Sequence, residues 1–266
     1  MSVYHPLADA LEEMGIDRGR PAIVHASLSA FGFVRGGAQA VVAALLAHFE
    51  RVIAPAFTYK TMLTPENGPA NNGVQYGVAP DANLLAEFYS LDMPVDRLIG
   101  AVPDALRQHP QAKRSMHPIL SFSGANAAKI LDAQTLDFPL APIEALAEAD
   151  GWIVLLGVNH RTNTSIHLAE YRAGRKTFQR WALTREGVTA CPNFPPCSDG
   201  FQAIEPLVEP ITKKRLVGDA WVRALPLRGL LEIGEAEIYK NPLALLCERE
   251  GCPRCDAIRA ELAVPA

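Results

Sequence analysis

The sequence is poor in the features that mark several protein classes. It has no apolar run long enough to cross a bilayer. Positive charge is not in excess: net charge is −4 with a pI near 6.0. A face that grips nucleic-acid phosphates needs clustered Lys and Arg, so nucleic acid is excluded as the expected partner. Aromatic residues are only 7% of the chain, yet 49% is hydrophobic. The core must therefore be built from aliphatic side chains, and 266 residues suffice for a large one. Residues Met1–Asp9 lack a basic-then-apolar leader pattern, which makes a cytoplasmic location the expectation. The five cysteines are an odd number and all fall in the last third, so a disulfide framework is not expected.

What is present alternates. Pro6–Met14 carries apolar residues at helical spacing, and Gly15 stops it. Ala22–Ser27 reads as a buried strand, followed by a glycine-bearing loop and a helix from Ala38. Val52–Thr58 is a second strand. Thr61–Asp81 is a long Pro/Asn/Gly-rich loop of the kind that serves as a lid or binding segment. Helices are expected at Leu84–Tyr89, Gly100–Gln108, Asn126–Leu131, Ile143–Glu148, Leu227–Tyr239 and Leu243–Leu246. Strands are expected after Arg114, at Trp152–Val158, at Phe178–Thr184, and as a pair within Leu216–Leu225. Pro192–Pro196 reads as loop. This alternation predicts an α/β layered fold without internal repeats or a clear linker. Residues 1–150 hold 16 acidic and 10 basic side chains, an imbalance that could favour a cationic substrate.

Three stretches carry chemistry. The first is the loop after the Ala22–Ser27 strand, where Gly36 and Gly37 allow close backbone approach and the next helix offers free N–H groups to an anion. The second is Arg114-Ser115-Met116-His117-Pro118 with Ser121, a possible clamp on an anionic or polar ligand through Arg114. The third follows the Trp152–Val158 strand. There His167 and Glu170 stand three apart on one helical face, the arrangement of a general base held by a carboxylate. With His160 the same pair could instead form a three-ligand metal site of a hydrolase, and both alternatives stay open at this point.

The three stretches together resemble the aminoglycoside 3-N-acetyltransferase family. The resemblance rests on His25-Ala26-Ser27-Leu28-Ser29 through Gly32-Phe33-Val34-Arg35-Gly36-Gly37, on the Arg114–Ser121 segment, and on Gly157-Val158 through Asn163-Thr164-Ser165-Ile166-His167-Leu168-Ala169-Glu170-Tyr171. It implies one domain over residues 1–266, a three-layer α/β/α sandwich around a mixed β-sheet. It also implies acetyl transfer from acetyl-CoA to an amine, with the 3-amino group of an aminoglycoside's 2-deoxystreptamine ring as the expected acceptor and another metabolite's amine as the alternative. Ser27, Leu28, Ser29, Gly32, Val34, Arg35, Gly36 and Gly37 would hold the pantetheine arm and phosphates. Arg114, Ser115, His117 and Ser121 would hold the cofactor from the other side. His167 would be the base, Glu170 its orienter, and Thr164 would lie near the thioester carbonyl. Direct transfer is the simpler mechanism, because none of the three stretches contains a cysteine nucleophile. The Thr61–Asp96 region departs from the acidic acceptor segment of resistance members, which leaves the acceptor open. A binder of CoA or antibiotic without catalysis is the remaining competitor, and monomer or homodimer the expected state.

The tail from about residue 243 holds Cys247-x4-Cys252-x2-Cys255. Cys191 or Cys197 could supply a fourth thiolate, and with Cys197 these could form a structural zinc site, the alternative being a set of buried thiols plus one exposed pair.

Overall fold

Strand β1 (Ala22–Ala26) lies at the middle of the molecule because it is apolar on both faces. The computed structural model describes residues 4–78 and 80–263. Before β1 runs α1 (His5–Glu13), and after it α2 (Gly37–His48) leads to β2 (Val52–Pro55). The long segment beyond contains a short β3 (Met62–Leu63) and a single turn of helix, α3 (Pro80–Asn83). Then follow α4 (Ala101–Arg107), the strands β4 (Ala112–Arg114) and β5 (Phe122–Ala125), α5 (Ala128–Leu131) and α6 (Ala141–Glu148). The second half comprises β6 (Trp152–Leu156), α7 (Ser165–Arg172), β7 (Phe178–Thr184), β8 (Gly187–Phe194), α8 (Glu205–Val208), β9 (Lys213–Val217), β10 (Ala220–Pro226), α9 (Leu227–Lys240) and α10 (Pro253–Leu262).

Seven strands form one mixed sheet in the order β4-β5-β2-β1-β6-β10-β9. β1 pairs in parallel with both β2 and β6, and antiparallel strands flank that trio on each side. A parallel central strand is buried on both faces and reads as a continuous apolar run, which is why β1 and β6 stood out. Alternate residues feed opposite layers. Ile23, Ile53, Ile153 and Leu155 join Ile143, Leu146, Leu168 and Leu230 from α6, α7 and α9. Val24, Val52, Val154 and Leu156 join Leu7, Leu11, Val41, Leu45 and Leu106 from α1, α2 and α4. The expected three-layer α/β/α sandwich around a mixed sheet is what is observed. No helix among the described residues is long and apolar enough to cross a membrane.

A second, three-stranded sheet, β3-β7-β8, was not foreseen as a unit. Its β8 extends to Phe194, so the expected Pro192–Pro196 loop begins only at Pro195. The Leu216–Leu225 pair is observed as β9 and β10. Two expected helices are absent. In Leu84–Tyr89 the backbone is captured from outside: Glu87 N donates to Lys60 O (2.9 Å) and Tyr89 N to Leu183 O (2.9 Å). In Leu243–Leu246 Leu245 takes a left-handed φ of 63°, and the nearby carbonyls of Pro242 and Ala244 accept from Arg175. The helix α10 was missed, because the cysteines that start it drew attention to metal chemistry instead of periodicity.

Candidate active site

The parallel strands β1, β2 and β6 all point their carboxyl ends at one cleft of about 850 Å³. In open α/β sheets this is where ligands bind, because the loops leaving neighbouring strands separate there. Ser27–Ser29 leave β1, Phe57 and Tyr59 follow β2, and Val158–Thr164 leave β6. Gly157 makes the last departure possible. Its φ is 65°, and a Cβ there would lie 2.5 Å from the Ala30 Cβ, so a side chain would force the β1 and β6 loops apart.

Helix α7 brings the third stretch to this cleft. It is buried along residues Ser165–Glu170, wedged between the sheet and α9. His167 lines the cleft, and its Nδ1 lies 2.7 Å from Glu170 Oε2. The carboxylate accepts, so Nδ1 carries the proton and Nε2 is the free ring nitrogen. The Phe201 ring packs edge-on against the imidazole at 4.6 Å between centroids. Glu170 is itself held: Arg175 Nη1 donates to its Oε1 at 2.7 Å, and Arg175 Nη2 donates to the carbonyls of Pro242 and Ala244, both at 2.8 Å. A histidine whose carboxylate partner is fixed by a third group cannot rotate away from its hydrogen bond. Arg175 was not singled out from sequence, although it follows Glu170 by five residues.

Thr164 caps α7 and lines the cleft. The N–H groups of the first turn are occupied: Ser165 N donates to Asn163 Oδ1 (3.2 Å), Ile166 N to Asn163 O (3.2 Å) and His167 N to Thr164 O (3.1 Å). The Thr164 hydroxyl is a donor at this helix end that lines the cleft, and the buried Ser165 Oγ beside it has no partner among the described residues.

The first stretch meets the third. Ser27, Leu28, Ser29, Gly32 and Val34 line the same cleft as His167. Arg35, Gly36 and Gly37 continue past its lip into α2; Gly36 has a φ of 87° and caps that helix. Phe33, 92% exposed, also lines the cleft; it stands within the first stretch but was not among the expected site residues. Sequence reasoning also missed Arg97, Arg161 and Arg254, which arrive from three separate segments.

The second stretch does not join them. Arg114 Nε donates to Ser121 Oγ (3.0 Å), and its other donors go to the carbonyls of Ala56, Leu91 and Met93. Ser115 Oγ accepts from Phe122 N (2.8 Å), and Ser121 Oγ donates to Ala56 O (2.8 Å). His117 Nδ1 accepts from the N–H groups of Ile119 and Leu120. None of the four lines the cleft. Where a second grip was expected, these side chains satisfy the backbone of the strand entry, and only Leu120 beside them reaches the cleft wall.

Three histidines are held neutral. Burial, followed by the charge of His160, pushes His25 down to about 3. Burial lowers His117 to about 4, and burial with the charge of Arg223 lowers His160 to about 4. His160 is buried with Nδ1 at 3.3 Å from Asn163 Nδ2. It braces the loop and does not converge with His167 and Glu170 into a ligand set. Among the described residues the one group with metal-ligating atoms together is Cys197, Cys247, Cys252 and Cys255, whose Sγ atoms all lie within 4.8 Å of one another. All four are buried and unbridged. The Cys255 hydrogen bond drives the Cys197 thiol down to about 5 against the opposing effect of burial, while Cys255 is pushed up.

A cleft at the carboxyl ends of parallel strands, lined by a carboxylate-held histidine, defines an α/β protein with a ligand crevice at the edge of its mixed sheet. Residues 23–238 match the model of the family described as aminoglycoside 3-N-acetyltransferase. The chain belongs to that family. It is 30% identical over 175 residues to the SPbeta prophage-derived aminoglycoside N(3')-acetyltransferase-like protein YokD of Bacillus subtilis, covering 62% of this chain and 64% of that one. It is 33% identical over 171 residues to aminoglycoside N(3)-acetyltransferase VIII of Streptomyces fradiae, covering 61% of this chain and 58% of the relative. The match thus spans less than two thirds of either relative. The crystal structure of the aminoglycoside acetyltransferase AAC(3)-IVa apoenzyme superposes with a TM-score of 0.79 at 24% identity, covering 97% of each chain.

Proposed function

We propose that this chain is an acetyl-CoA-dependent N-acetyltransferase that works by direct transfer in a ternary complex. The observation that carries the reading is the Arg175–Glu170–His167 relay, which presents a free Nε2 to the cleft that Ser27–Val34 also line. An amine that is protonated in water must lose a proton before it can attack a thioester. That first proton goes to solvent; the neutral amine then bonds through its lone pair to the acetyl carbon, His167 Nε2 takes the second proton, which the new C–N bond makes acidic, and Glu170 stabilises the imidazolium. The Thr164 hydroxyl donates to the carbonyl oxygen as it gains charge. The C–S bond then breaks, CoA leaves as the thiolate, and the proton on His167 can return to it. The Ser27–Gly37 segment holds the pantetheine arm and phosphates. Arg114, Ser115, His117 and Ser121 contribute by shaping the strand entry beneath the cleft.

The acceptor proposed first is the 3-amine of an aminoglycoside, in keeping with the family. One observation favours a different amine: among the described residues lining the cleft there is no carboxylate, while Arg97, Arg161 and Arg254 are present. A polycation prefers the opposite balance. The solved AAC-IIIb holds CoASH and a solved AAC(3)-IVa holds gentamicin, so these molecules are natural first probes. The four-cysteine cluster is read as a structural zinc site. A monomer or homodimer in the cytoplasm completes the proposal.

The test is CoA-thiol release from acetyl-CoA with a panel of aminoglycosides and simple amino sugars. Release with an aminoglycoside supports the first reading; release only with other amines supports the second. No release with any amine defeats both. His167→Ala should abolish turnover and leave acetyl-CoA binding, read by calorimetry, nearly intact.

A further inference from the structure

The four-cysteine cluster sits at the meeting point of segments that the cleft depends on. Arg254 lies between Cys252 and Cys255 at the start of α10. Its Nη1 donates to Pro196 O at 2.8 Å, and Pro196 directly precedes Cys197. Each end of that bond is thus one residue from a sulfur of the cluster. Both Arg254 and Pro196 line the cleft. No carboxylate pairs with Arg254 among the described residues, and its recorded acceptors are the Pro195 and Pro196 carbonyls, leaving donors for an anionic group.

The cluster also reaches the base. Phe201, four residues after Cys197, packs on the His167 ring. Cys247 follows the Pro242–Ala244 carbonyls that hold Arg175, and Arg175 holds Glu170. The long 61–81 loop is pinned to the same helix: Asn71 Nδ2 donates to Ala257 O (3.0 Å), and a Cβ on Gly73 would lie 2.9 Å from the Arg254 stem. Four sulfurs within 4.8 Å, unbridged, match the ligand set of tetrahedral zinc.

We propose that these thiolates, holding zinc, form a positioning element of the active site that sets Arg254 as an anion-binding residue of the cleft. This goes beyond a remote structural staple and rests on the transferase reading above. The group Arg254 takes is an anionic oxygen group, either a phosphate of acetyl-CoA or a carboxylate or phosphate on the acceptor. Without the metal the two ends of the Arg254–Pro196 bond are no longer fixed to one point, so the guanidinium is free to leave the wall.

The experiment uses the full chain, with zinc measured by elemental analysis. Wild type should carry about one zinc per chain, the number a single four-ligand site holds. Arg254→Ala should keep its zinc and its kcat while one KM rises roughly ten- to hundredfold, the loss of one charge-assisted hydrogen bond. A rise in the acetyl-CoA KM assigns the group to the cosubstrate; a rise in the acceptor KM assigns it to the acceptor. Cys252→Ser should lose zinc and raise the same KM, and adding Arg254→Ala to it should cost little more. Where Cys252→Ser does not fold, wild type stripped with a chelator and reloaded with zinc takes its place. Absence of zinc in wild type, an unchanged KM for both substrates in Arg254→Ala, or additive effects in the double variant would overturn the proposal. A wild type that carries zinc but releases no CoA thiol instead defeats the transferase reading. In that case Arg254→Ala is read in calorimetry through its affinity for acetyl-CoA and for inorganic phosphate, and unchanged affinity for both overturns the proposal.

Discussion

Arg175 and Glu170 form an ion pair at 2.7 Å whose side chains are only 2% and 1% exposed. Such a pair is weak evidence of net stabilisation, because both charges were taken out of water, but removing one partner leaves the other stranded. Here the stranded group would be the carboxylate that holds the His167 ring. Arg175→Ala should therefore lower stability by about 3–5 kcal/mol and reduce kcat as well. Denaturant unfolding and thiol-release kinetics check both, and a stable variant with full kcat would remove Arg175 from the relay.

Thr164 divides two ways of stabilising the oxyanion. With the N–H groups of Ser165, Ile166 and His167 occupied, the hydroxyl is a donor at this helix end that lines the cleft. Thr164→Val should cut kcat roughly 10²–10³-fold, while Thr164→Ser keeps most of it. Equal activity in the two variants would mean that the oxyanion is met elsewhere.

Arg114 separates a structural reading from a cofactor grip. Its guanidinium satisfies carbonyls of Ala56, Leu91 and Met93 and stays clear of the cleft. Arg114→Ala should cost about 2–3 kcal/mol of stability through these unmet acceptors and leave the KM for acetyl-CoA unchanged. A raised KM with unaltered stability would restore it to the cofactor site.

The neutral histidines give the protein an acid-sensitive fold. His25, His117 and His160 bind protons more weakly when folded, near 3, 4 and 4, than in the unfolded chain, near 6.5. Their contribution is complete above about pH 6.5 and is lost as pH falls toward 4, where the unfolded state takes up protons first. Each histidine adds a slope of about 1.4 kcal/mol per pH unit in that window. Urea unfolding between pH 7 and pH 4 reads the combined slope. Stability that stays level over that range would show that these rings charge freely in the native state.

Much of the site could be read locally. The His167–Glu170 pair depends on a helix over residues that sit three apart, and helical geometry alone brings them to one face. The apolar runs of β1 and β6 announced buried parallel strands, and the glycine-bearing loop followed from short-range spacing. The four sulfurs were also legible, since Cys252-x2-Cys255 is compact and few other thiols are available to complete a set. The intramolecular acceptors of Arg114 were not legible, because they lie at residues 56, 91 and 93, far from the motif in sequence. The Leu84–Tyr89 helix is absent for the same reason: the carbonyls of Lys60 and Leu183 claim its backbone.

Sequence by itself thus determined the layered α/β character, the family resemblance, the pairing of His167 with Glu170 on one helical face, and the candidate thiolate set. Each depends on neighbours within a turn of helix, a strand, or a recognisable spacing. Tertiary structure decided which of those stretches share a cleft, that Arg175 fixes Glu170 from carbonyls near residue 243, and that Arg254 joins the cleft to the cysteine cluster. Those relationships are contacts between segments up to nearly two hundred residues apart, and only chain folding around the mixed sheet brings their donors and acceptors within hydrogen-bonding distance.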